Sequence, residues 1–198
     1  MSFNKYISII LHPIVMPTIG VMLYFLVVPN HFLKQQKFTV LSFVFVTTYL
    51  IPLFMIFFLK RINVIKSYKV ENINERKLPV ALMIILFYFL AKSIDNITFL
   101  RDLSLLFYAT SLGLTILFIL IYYNFKISIH LYSLGVPVGF FLALTNVYGQ
   151  SYLLIIIVLI FLSGVLASSR LKLNAHTNFE VYSGFFLGIT YVVNDGFC

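Results

Sequence analysis

The chain has one cysteine, no tryptophan and only six acidic residues, and charged side chains make up 10% of its 198 positions. With a single cysteine, Cys198, an intrachain disulfide is excluded, and a cysteine in last place does not form a C-terminal prenylation box. Without tryptophan, the 13 tyrosines must supply most of any aromatic belt at a membrane surface. About a quarter of an ordinary soluble domain is charged, so the scarcity of charge excludes that class. Residues 127–169 contain no Lys, Arg, Asp or Glu at all. No zinc-type spacing such as H-E-x-x-H occurs, so neither a metal site nor a cofactor is expected. The basic residues flank apolar runs instead of forming a stripe, which argues against nucleic acid as a partner.

What the chain does have is apolar length. It is 61% hydrophobic, with a mean hydropathy of +1.02. A helix needs about 20 apolar residues to cross the hydrocarbon core, and only helices or closed barrels satisfy their backbone there. Continuous runs without period-two alternation select helices. The expectation is therefore all-α: a polytopic transmembrane bundle of about six to seven helices, forming one domain over residues 1–198. Spans are expected near residues 7–28, 38–59 (kinked at Pro52), 80–94 and 103–123. The charge-free stretch supplies two more, parted by the turn at 145–151, and residues 179–193 supply a last, short one. The first run contains two prolines and lacks a small-residue cleavage site, so it reads as a retained span and not as a signal peptide.

Three polar segments follow the second, fourth and sixth spans: residues 60–79, 126–130 and 169–180. Two crossings separate each neighbouring pair, so all three meet on one face of the bilayer. His176 and Glu180 are four apart, the spacing of neighbours on one helix face. A carboxylate there fixes the imidazole tautomer and leaves the other nitrogen basic. Arg170 offers a planar fork of donors suited to phosphate or carboxylate. His130 and Ser128 stand at the start of the fifth span, where a cap or an anion-holding helix terminus is expected. Lys69, Arg76 and Lys77 by themselves are ordinary membrane-flanking charges. His12, beside Pro13, reads as structural, and His31 as a loop histidine.

Together the three segments resemble the type 2 phosphatidic acid phosphatase superfamily, which includes the vanadium haloperoxidases and carries K-x6-R-P, P-S-G-H and S-R-x5-H-x3-D. Lys69, six residues and Arg76 match the first motif, with the proline displaced to Pro79. Ile127, Ser128, Ile129 and His130 keep only the serine and histidine of the second. Ser169 and Arg170, then His176, then Glu180 in place of aspartate, keep the full spacing of the third. The likeness covers roughly the last two-thirds of the chain. It implies that His176 attacks phosphorus while Glu180 orients its ring. It further implies that Lys69, Arg76, Arg170, Ser128 and the Ile129 N–H bind the phosphoryl oxygens. His130 would protonate the leaving oxygen and then activate water.

A mouth at headgroup level suits a lipid phosphate whose tails stay in the bilayer: phosphatidate, phosphatidylglycerophosphate, a polyprenyl pyrophosphate or a lipid A precursor. The expected setting is a bacterial inner membrane. Basic residues favour a cytoplasmic motif face by ten to four, or seven to four once proposed phosphate ligands are set aside; the resemblance implies an outward one. Because Ile129 replaces a glycine and Glu180 an aspartate, the competing expectation is an inactive relative that binds anionic lipid. A transporter or channel would need paired charges within the spans, which are nearly free of them.

Overall fold

A computed structural model describes residues 3–29, 32–68 and 72–195. Among these the chain is helical: α1 (Phe3–Ile10), α2 (Met16–Val27), α3 (Lys34–Arg61), α4 (Ile73–Asp95), α5 (Thr98–Tyr122), α6 (Ile129–Tyr148), α7 (Leu153–Lys172) and α8 (Asn178–Asp195). Five of them, α3 to α7, are long and apolar enough to cross a membrane. Large side chains such as Phe54, Phe57, Leu154 and Phe161 stay exposed on their outer faces, as lipid-facing surface requires. This is a multi-pass integral membrane protein.

The expected first span is not one helix. It breaks between Ile10 and Met16, because Pro13 lacks an N–H and Pro17 can only join a helix in its first turn. The second span carries a π-turn at Val46–Leu50 just before Pro52, with the Ile51 N–H reaching back five residues to Val46. The widened turn relieves the clash a proline ring makes with the carbonyl four residues earlier. The third span begins seven residues before Val80. Asn72 caps it by accepting from the Asn74 N–H at 3.1 Å, so the end of the expected polar loop, residues 73–79, is helix.

Three helix ends share one design. After α3, α5 and α7 the chain turns through Asn63, Asn124 and Asn174 at φ 59°, 64° and 51°. In each case the asparagine N–H bonds three residues back and the next N–H bonds five back, as from Val64 to Leu59, Phe125 to Leu120 and Ala175 to Arg170. Asparagine tolerates this left-handed conformation better than most residues. All three reversals lie on the face that bears the motifs. At the other face, about 27 Å along α6 at 1.5 Å per residue, Asp102 accepts from Tyr24 at 2.9 Å and Tyr148 at 2.6 Å. That contact ties α2, α5 and α6 together.

The tightest pairings are α4 with α5 and α6 with α8. Ser104 and Ser111 of α5 donate to the Ala91 and Ile84 carbonyls of α4 at 3.2 and 2.9 Å. Between α6 and α8 the contact is backbone to backbone through two G-x-x-x-G stretches, Gly135 with Gly139 and Gly184 with Gly188. A Cβ at Gly139 would stand 2.6 Å from the Ile189 oxygen, and those at Gly135 and Gly188 would collide with the Phe185 and Tyr132 carbonyls. In lipid, such small-residue seams replace the hydrophobic effect as the means of holding helices together.

Candidate active site

The α6–α8 seam sets the site because both helices begin there. The Ser128 N–H, at the start of α6, donates to the Glu180 carbonyl at 3.0 Å. His176 lies in a bend before α8 and not on the helix itself. It meets Glu180 all the same: its Nδ1 is 2.6 Å from Glu180 Oε2. The bend is held from outside by Lys126, which donates to the Ala175 carbonyl at 2.9 Å and stands 3.9 Å from the same Glu180 oxygen. With Nδ1 so engaged, Nε2 is the nitrogen left for chemistry.

The His176 side chain is only 2% exposed, and burial pushes its pKa down from 6.5 to about 4. The Glu180 contact opposes that shift, while Arg170 and Arg76 reinforce it. The ring is therefore neutral, as a nucleophile must be, and Arg170 and Arg76 are both close enough to act on it.

His130 is the second residue of α6. It is hydrogen-bonded to the backbone of Ser8 and lies within electrostatic range of Arg170, His12 and His176. Arg76 sits in the first turn of α4, set there by the Asn72 cap and by Glu75, which accepts from the Lys66 N–H at 3.1 Å. Ser128 is fully buried at the N-cap position, but its hydroxyl caps nothing and has no hydrogen-bond partner among the described residues. Ile129 opens α6, so its N–H has no acceptor within the helix. Lys69 and His31 lie outside the described residues.

A cavity of about 210 Å³ runs into the bundle from this cluster. His12, Arg76, His130 and Arg170 line it at one end, and Met16, Gly20, Met55, Phe107, Leu114 and Phe140 are among its apolar walls. His176 does not line it; Arg76, His130 and Arg170 are common to the cavity and to the surroundings of His176. Among the described residues no three imidazole, carboxylate or thiol groups converge as a metal-holding set.

Sequence reasoning set His12 aside. Its ring stands edge-on to His130, with centroids 5.3 Å apart and planes at 82°. The signal was there in a different form: a histidine inside an apolar run is costly unless it faces something polar. Sequence reasoning also passed over Lys126 as a holder of the His176 bend and both G-x-x-x-G stretches. Compared with protein-family models, with curated proteins and with solved structures, the chain finds no match in any of the three.

Proposed function

We propose that this protein is a membrane-embedded lipid phosphate phosphatase, a divergent relative of the type 2 phosphatidic acid phosphatases. One observation carries the reading: a neutral, carboxylate-oriented imidazole and a second imidazole share Arg170, at the polar end of an apolar cavity. Arginine forks suit phosphoryl oxygens, and the apolar walls suit the first carbons of a lipid chain. In this reading the phosphoryl group sits against Arg170. His176 Nε2 forms an N–P bond as the bond from phosphorus to the leaving oxygen breaks, and His130 gives that oxygen a proton. Water then attacks phosphorus, His130 takes its proton, and the N–P bond breaks to release phosphate.

The test is phosphate release from a lipid phosphate by the purified protein in detergent. His176→Ala and His130→Ala should each cost at least about a hundredfold in rate, the lower end for a general acid or base. Wild-type protein should also yield an acid-labile phosphoenzyme that His176→Ala lacks. Turnover unaffected by His176→Ala would overturn the reading. A second reading, an inactive protein that binds anionic lipid, is favoured by the near-complete burial of His176 and its absence from the cavity wall. Tight lipid phosphate binding with no release would support it.

A further inference from the structure

The motifs that suggested a phosphate site all lie between residues 69 and 180, and none of them involves the N-terminal helices. Yet the break between α1 and α2 forms one wall of the site. Ser8, buried on α1, bonds the His130 ring through its backbone. Four residues on, where Pro13 prevents the helix from continuing, His12 reaches the cavity rim beside His130 and within electrostatic range of Arg170. The Ile14 N–H points to His12 Nδ1 at 3.4 Å, which makes Nδ1 an acceptor and puts the ring proton on Nε2.

His12 lines the same cavity as Arg76, His130 and Arg170. A ring N–H among those side chains adds a further donor for an anion held by the guanidinium groups. We infer that His12 is a further ligand of the site, donating from Nε2 to the same tetrahedral oxyanion that Arg76 and Arg170 bind, while the Ser8 backbone positions His130. The inference rests on the proposed function only for the identity of that anion as a phosphoryl group.

Binding of orthovanadate and of inorganic phosphate to the full chain in nanodiscs tests it without turnover. His12→Phe keeps the shape of the ring and removes the donor; His12→Gln keeps an N–H at nearly the same reach. Orthovanadate affinity should fall about tenfold or more in His12→Phe, which is about 1.4 kcal/mol, and stay within about threefold of wild type in His12→Gln. In wild-type protein labelled with ¹⁵N-histidine, the His12 Nε2 signal should move on adding phosphate. Wild-type affinity in a folded His12→Phe variant overturns the inference, and so does a ¹⁵N signal indifferent to phosphate, which is read on wild-type protein and does not depend on how the variants fold. If anion binding depends on His12 but no lipid phosphate is hydrolysed, the inference stands and the phosphatase reading falls. If hydrolysis depends on His176 while His12→Phe leaves binding and KM unchanged, the reverse holds.

Discussion

Glu180 is longer than the aspartate of the resembling motif by one methylene, and the surroundings account for the extra reach. Its carbonyl is fixed by Ser128 and its ring partner lies before the helix, so the side chain must extend backwards to meet Nδ1. Glu180→Asp should therefore lose the 2.6 Å contact and slow the first chemical step by about tenfold or more, an effect of positioning. Rapid-quench measurement of phosphoenzyme formation reads it directly; an Asp variant as fast as wild type would show that the contact orients nothing. A second consequence concerns pH. Because burial holds the His176 pKa at about 4 against 6.5 for an unperturbed ring, the unfolded chain binds the proton more readily than the fold between those values. The contribution to stability is full above about pH 6.5 and is lost progressively as pH falls toward 4. Thermal unfolding in detergent should show that acid-side slope in wild type and a shallower one in His176→Gln. Equal slopes would mean that this ring is not the titrating group.

At the scale of helices, the seam between α6 and α8 is a positioning device as well as a source of stability. Gly184 is the decisive position, since a Cβ there would stand 2.5 Å from the Ser128 oxygen, at the point where α8 meets the start of α6. Gly184→Ala should push the two helix starts apart and lengthen the Ser128–Glu180 bond. Overpacking of this kind costs about 1–3 kcal/mol, and activity should fall by more than the change in folded fraction explains. Gly164→Ala, where a Cβ meets nothing within 4 Å, should change neither; equal behaviour of the two variants would dismiss the seam. Much at this scale was legible in the sequence. The turn at Gly149 and the parity of the three polar segments follow from apolar run lengths and turn residues. Three features were not. Hydropathy averages over local hydrogen bonds, so the break at Pro13 vanished inside a run of aliphatic residues. The charges of residues 73–77 disguised a helical turn as loop, though Asn72 marked its cap. The four-residue spacing of His176 and Glu180 suggested one helix, whereas the contact is made across a helix start.

For the molecule as a whole, convergence of distant segments follows from counting crossings, but the space inside the bundle does not. Met16, Met55, Phe107 and Phe140 are in sequence only apolar members of their spans, and nothing in their spacing says that they surround a void. The void exists where small and kinked positions face one another: Gly20, whose added Cβ would meet nothing within 4 Å, and Pro17 and Pro52 on neighbouring helices. A cavity of 150 Å³ lined by aliphatic side chains holds benzene. By that measure, the 210 Å³ here accommodates roughly six to eight carbons, enough for the start of one lipid chain and too little for two. Gly20→Phe fills it from its apolar wall. The variant should fold, because its ring enters empty space and adds buried apolar area. It should hydrolyse a short, water-soluble phosphomonoester at the wild-type rate while kcat/KM for a long-chain lipid phosphate falls by about tenfold or more, the worth of a few buried methylenes. Comparable losses on both substrates would show that the cavity serves the phosphate cluster and not the chain. Undiminished hydrolysis of the long-chain substrate would return the lipid tail to the bilayer, outside the helices.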